Sequence, residues 1–183
     1  MQTLKTADKK RLNTKMLALG AVFAALITVA TAFIRIPAPL GYAHAGDSMV
    51  FLTASVLPAP LSFIAAAIGG ALADLLSGAA VWAIPTAIIK ALNVLPFFFV
   101  RKILSKKNKD GKILHISVVI SLIISSAITV AGYFAAECVL YDVSAAAAEI
   151  PFNIMQSVIG AVLFTALGLA LDAVRFKQLI SAS

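Results

Sequence analysis

Long apolar runs separated by short polar or proline-rich stretches dominate the chain. The first run covers residues 16–34. A bilayer core about 30 Å thick is crossed by roughly 20 apolar residues in a helix, so this run predicts a transmembrane helix. The basic segment before it imitates a signal peptide, but the run is long for one. No small-residue cleavage site follows before Arg35, Ile36 and Pro37, so a retained helix is expected. The next apolar stretch, 48–76, is interrupted by Pro58 and Pro60. Proline inside a helix costs about 3 kcal/mol, which predicts two short helices and a turn. Residues 81–100 form a fourth segment, with Pro85 near its start and Pro96 near its end, and 113–136 form an uninterrupted fifth. Residues 151–173 form a sixth, with Pro151 in the first-turn position that proline tolerates. In lipid, backbone polar groups must bond internally, which favours helices. The pattern predicts an all-α polytopic membrane protein. Six transmembrane helices are expected over 15–177, after a basic segment (1–14) and before a short tail (178–183).

Composition strengthens this reading. The chain is 61% hydrophobic and 13% charged, with a mean hydropathy of +1.00. Soluble domains carry about 45–50% apolar and about 25% charged residues, so a soluble enzyme, a nucleic-acid module and a disordered tail are excluded. The net charge of +7 has a topological origin. Lys5, Lys9, Lys10, Arg11 and Lys15 precede the first helix. Arg101, Lys102, Lys106, Lys107, Lys109 and Lys112 lie between the fourth and fifth, and Arg175 and Lys177 follow the sixth. With six helices, all three clusters share the cytoplasmic side, as the positive-inside rule requires. Both termini are then cytoplasmic, and the lysines lie beside anionic lipid rather than nucleic acid. Asp47, Asp74, Glu137, Asp142 and Glu149 fall at or near the opposite face. A single cysteine, Cys138, excludes an intramolecular disulfide framework. Two histidines without a His-x-Glu or Glu-x-x-His pattern point to no metal. No Walker motif occurs, so ATP would have to be used by a partner. No long internal repeat appears, and about six helices is small for a secondary transporter.

Chemistry concentrates near the outer loops. Residues 36–47 form a Pro/Gly-rich connection ending on Asp47. Asp47 either caps the next helix or stands with His44 and Tyr42 at the mouth of a cavity. There a carboxylate and an imidazole could bond a polar heterocycle while Tyr42 stacks on it. Asp74, near the outer end of an apolar run, caps a turn, pairs with a cation or meets a ligand. Trp82 is either an interfacial anchor or a lid. Lys90 lies deep in the fourth segment, where an ionisable group marks a functional site or a buried pair; Asp74, Asp47 and Glu137 are candidate partners. Asn93 follows at i+3 on the same face. Tyr133 and Glu137 share a face of the fifth helix. Asn153 and Gln156 share one of the sixth, as interhelical glue or as ligand contacts. His115 reads as an interfacial bystander and Cys138 as inert. Gly20, Ala21, Ala24 and Ala25, with Thr28 and Ala32, form small-residue ridges that suit internal packing or a partner helix.

Taken together, these stretches resemble the substrate-binding S component of energy-coupling factor (ECF) vitamin transporters. The resemblance spans 15–177. It rests on the small-residue first helix (21–25), the entry to the second helix (42–47), the stretch 69–78, the stretch 85–90, and Asn153 with Gln156 after Pro151. It implies a six-helix fold with an outward pocket closed by the loops between helices one and two and helices three and four. It implies a membrane coupling (T) subunit and two cytoplasmic ATPases as partners, and no enzymatic activity in this chain. The alanine ridge of helix one would meet the coupling subunit, and the loaded subunit would topple to deliver its vitamin inward. A multi-pass position in a bacterial plasma membrane is implied. Riboflavin-type members carry an asparagine followed three residues later by lysine, where this chain has Asn153 and Gln156. The single Trp82 speaks against an aromatic-rich thiamine cage. The pattern looks closer to hydroxymethylpyrimidine or pyridoxine members, and pantothenate stays open because Lys90 could pair with its carboxylate. The alternative is a stand-alone carrier or channel using Lys90 and Asp74 as a proton relay. An intramembrane enzyme is opposed by the lack of a Ser/His/Asp arrangement or paired membrane aspartates.

Overall fold

The computed structural model describes residues 14–104 and 112–181. The basic positions Lys5, Lys9, Lys10, Arg11, Lys106, Lys107 and Lys109 lie outside them. In chain order the elements are α1 (Thr14–Phe33), β1 (Arg35–Ala38), β2 (Gly41–His44), α2 (Gly46–Val56), α3 (Ala59–Leu76), a one-turn 3₁₀ helix (Ala80–Trp82), α4 (Ala83–Leu104), α5 (Ile116–Leu140), α6 (Val143–Ala173) and α7 (Phe176–Ser181). Helices α1, α3, α4 with its 3₁₀ turn, α5 and α6 are long and apolar enough to cross a bilayer. The expected second span is shorter. Pro58 stops α2 after 11 residues, about 16 Å at 1.5 Å per residue, roughly half a hydrocarbon core.

Three further expectations change. Residues 35–44 form an antiparallel hairpin, not an irregular connection, with Arg35 opposite His44 and Pro37 opposite Tyr42. Its two strands have only each other, so Pro37 occupies an edge, where a missing N–H is tolerated. The sixth helix starts at Val143, well before Pro151, because Asp142 caps it. The Asp142 carboxylate accepts from the Ser144 and Ala145 N–H groups at 2.8 and 2.9 Å, and Pro151 lies inside the helix. The fourth helix likewise runs through Pro96 to Leu104.

The interior is closely packed. Phe51 of α2, Phe97 of α4 and Phe164 of α6 meet at ring-centroid distances of 5.7–6.2 Å, flanked by Ile27, Val50 and Val94. The outer surface is also apolar, with Ile64, Ile68, Ile88, Ile123 and Val158 exposed, as in helices that face lipid. Two glycines set helix spacing. A Cβ on Gly69 would lie 2.7 Å from the Ala24 carbonyl oxygen, and one on Gly160 would lie 2.7 Å from the Asp47 Cβ. These positions hold α3 against α1 and α6 against α2. The Thr28 hydroxyl lies 2.9 and 3.0 Å from the Ala24 and Gly69 carbonyls, sealing the first crossing.

The hairpin, the 3₁₀ turn and the α5–α6 turn gather at one end. At the other, Asp172 accepts from the Ile113 and Leu114 N–H groups at 2.6 and 3.0 Å, and Lys15 reaches the Ile180 carbonyl at 3.4 Å. The described basic residues Lys15, Arg101, Lys102, Lys112, Arg175 and Lys177 belong to that second end.

Candidate functional site

Under the hairpin lies a cavity of about 40 Å³, space for a few waters, since one needs about 10–15 Å³. Tyr42, His44, Asp74, Trp82, Tyr133, Glu137, Asn153 and Gln156 line it, together with Leu40, Gly41, Thr86 and Glu149. The sequence pattern placed the first eight at a site. It passed over the other four, although Thr86 precedes Lys90 by four residues and Glu149 precedes Asn153 by four. That spacing puts each pair on one helix face. Asp47, Lys90 and Asn93 lie deeper and do not line the cavity.

The floor is a buried ion pair. Lys90 Nζ donates to Asp47 Oδ1, with both side chains fully buried. Gln156 Nε2 donates to Asp47 Oδ2 at 3.1 Å, and Lys90 Nζ lies 5.0 Å from the Tyr133 ring centroid. This corrects the capping role expected of Asp47. The N-cap is Ala45, without a side-chain cap bond, and Asp47 sits in the first turn. An uncompensated buried charge costs more than an unmade cap, so the carboxylate serves Lys90. The same pairing leaves neither a Lys90–Asp74 relay nor a free ammonium for a ligand carboxylate. Asn93 Nδ2 donates to Thr129 Oγ1 at 2.7 Å, and Ser125 Oγ donates to the Asn93 carbonyl at 2.7 Å. Asn93 therefore joins α4 to α5.

The walls carry polar groups with spare capacity. Tyr42 donates its hydroxyl to Asp74 Oδ1 at 2.7 Å. Burial pushes the Tyr42 phenol up to about 12, so it stays a donor. Asp74 Oδ2 has no hydrogen-bond partner. Asn153 Nδ2 donates to Glu137 Oε1 at 3.1 Å, and Glu149 Oε1 accepts from the Leu40 N–H at the hairpin tip. The Thr86 and Tyr133 hydroxyls are 3.2 Å apart. His44 Nδ1 accepts from the Gly46 N–H at 3.2 Å, as a neutral imidazole does. Burial, aided by the nearby Lys90 charge, lowers its pKa to about 3. Trp82 is buried, 6.0 Å from Tyr133 and 6.1 Å from Tyr141. A Cβ on Gly41 would come within 3.9 Å of its Nε1. Trp82 thus joins the hairpin tip in covering the cavity.

The small-residue ridge of α1 divides. Gly20 is buried, with Leu61 Cδ2 3.6 Å from where its Cβ would be, and Ala24 packs its carbonyl on Gly69. Both serve the contact with α3. Ala21 and Ala25 are exposed.

A family model described as the S component of the ECF-type riboflavin transporter matches residues 11–173. The chain belongs to the ECF transporter S-component family. A Pyrococcus woesei protein described as an uncharacterized protein in gap 3'region is 33% identical over 146 residues, covering 78% of this chain and 91% of its own. A solved structure titled "Structure and mechanism of the S component of a bacterial ECF transporter" superposes with a TM-score of 0.68 at 23% identity. It covers 87% of this chain and 96% of that one, a likeness of fold. The S-component chain is therefore a multi-pass membrane protein and a substrate-binding subunit for vitamin uptake, associated with T and ATPase modules, rather than an enzyme. The matched family model is described by riboflavin, and nothing in the comparisons supports the hydroxymethylpyrimidine or pyridoxine subtype.

Proposed function

We propose that this S component captures a small heteroaromatic vitamin or precursor in the cavity beneath the hairpin and passes it inward with an ATP-driven module. The carrying observation is a polar cavity in an otherwise apolar bundle, walled by Tyr42, Trp82 and Tyr133 and by the side chains of Asp74, Glu137, Asn153 and Gln156. At about 40 Å³ it is too small for a vitamin, so entry requires the hairpin and the Trp82 turn to part. Chain direction supports six passes: α1 and α3 both end beside the hairpin, so the short α2 is the return leg between them. Positive-inside placement of Arg101, Lys102, Lys112, Arg175 and Lys177 then supports cytoplasmic termini and an outward cavity. ATP is bound by the partner ATPases, and this chain needs no cofactor of its own.

The decisive experiment is uptake into proteoliposomes after mass spectrometry has identified the small molecule released from the purified protein. Uptake should need the T and ATPase subunits, and robust uptake by the chain alone would overturn the reading in favour of a stand-alone carrier. The exposed Ala21 and Ala25 form the docking strip on α1. Ala25→Leu should leave ligand binding intact while abolishing capture of the T subunit, because bulk there blocks close helix approach. Normal pull-down of the T subunit by this variant would reject the strip.

A further inference from the structure

The cavity wall holds three carboxylates and no cation. Asp74 comes from α3, Glu137 from α5 and Glu149 from α6, and each is at most 4% exposed. Lys90 lies beneath the wall, committed to Asp47. The Arg35 guanidinium is stacked 4.7 Å from the Tyr42 ring centroid, but Arg35 is exposed and absent from the lining. His44 uses Nδ1 as an acceptor.

The hydrogen-bond inventory leans the same way. An ionised carboxylate offers about four lone-pair sites. Asp74 receives the Tyr42 hydroxyl on one oxygen and nothing on the other. Glu137 receives the Asn153 amide group, and Glu149 receives one N–H from the hairpin tip. The cavity wall therefore carries three carboxylates with no cation among its lining residues to offset them. Its other surface is aromatic, and aromatic faces attract cations as well as flat rings. Among the described residues, no group of three His, Cys, Asp or Glu is arranged to hold a metal ion. Acceptors spread around a ring-lined slot suit a charge distributed over an organic molecule.

We propose that the cavity selects a positively charged nitrogen heterocycle, or one bearing a protonated amine, over neutral and anionic vitamins. This rests on the capture-subunit reading and specifies the charge of what is captured. Three carboxylates brought together in a largely buried pocket repel one another. A cationic ligand would relieve that repulsion and donate to the open Asp74 Oδ2, whereas an anionic ligand would meet like charge on three sides.

The test compares probes on one ring: pyridoxamine with its ammonium, neutral pyridoxine and anionic pyridoxate. Thiamine serves as a permanently cationic probe and riboflavin as a neutral one, each titrated into the purified full chain. A cationic probe should bind at least about tenfold more tightly than pyridoxine or riboflavin, with pyridoxate weakest. Glu137→Gln should narrow the ratio between cationic and neutral probes by about tenfold. Glu149→Gln offers an independent check should the first variant misfold, and the wild-type ranking needs neither. Tight binding of riboflavin, pyridoxine or pyridoxate with weak binding of both cations would overturn the charge preference while leaving the capture role standing. Binding of none of the probes also rejects it. Loss of partner-dependent uptake would instead strike the capture role itself.

Discussion

Below the Lys90–Asp47 pair, three phenylalanines from three helices fill the bundle face to face and edge to face. Above it, the same helices carry Gln156, Thr86 and Asn153 towards a cavity roofed by a two-stranded hairpin. Close packing allows the lower half few alternative arrangements. The upper half has three carboxylates around a cavity and a roof held by a few identifiable bonds, among them Tyr42 to Asp74 and Leu40 to Glu149. The contrast assigns persistence to one end and exchange to the other. The ion pair lies at the junction and, through Gln156, ties α2, α4 and α6 together just where the character changes.

Breaking that junction should have the largest effect. Lys90→Met strands Asp47 as a buried, unpaired carboxylate, and removing one member of such a pair costs about 3–5 kcal/mol. Thermal unfolding in detergent should shift down sharply, and combining it with Asp47→Leu should recover most of the loss. An unshifted Lys90→Met midpoint would show that the pair does not hold the two halves together.

A wall residue above the junction should separate affinity from stability. Asn153→Leu removes a donor to Glu137 and an amide facing the cavity. It should weaken ligand binding by about 1–3 kcal/mol with a much smaller change in unfolding midpoint. Equal affinity for the ligand released from the wild-type protein would remove Asn153 from the site, and a loss confined to stability would make it mere interhelical glue.

How much of this could be read from the chain follows the same division. Helices α1, α4 and α5 were legible because lipid demands long apolar runs, and hydropathy reports them directly; α3, expected to be short, runs 18 residues. Lys90 was legible as buried and in need of a counter-charge. Only three-dimensional proximity decides between Asp47 and Asp74, because both lie at helix ends near the hairpin. The hairpin itself was hidden by Pro37 and Pro39, which suppress a strand signal while tolerating an isolated edge. The early start of α6 was missed because Pro151 imitates a first turn, while the true signal was Asp142 two residues before Ser144. Gly20 and Ala21 are adjacent and equally small; which one faces α3 is set by helix phase against Leu61 and Gly69, and a ridge pattern does not resolve that.

His44 supplies the smallest effect and probes the roof directly. Its imidazole is buried where the hairpin meets α2, with Lys90 opposing and Asp47 favouring a proton. Its folded pKa of about 3 lies below the ordinary 6.5, so the unfolded or open state takes up the proton first. Stability from a neutral His44 is thus fully present above pH 6.5 and is lost as pH falls towards 3. A factor of ten is worth about 1.4 kcal/mol, so acidification from pH 7.5 to 5.5 should cost about 1.4 kcal/mol through this residue. His44→Gln keeps an acceptor for the Gly46 N–H but cannot titrate. Its unfolding midpoint should fall less than that of the wild type between those pH values. Every other titratable group is the same in both proteins, so the difference isolates the imidazole. Identical pH dependence in the two would mean that the histidine is not sealed beneath the roof.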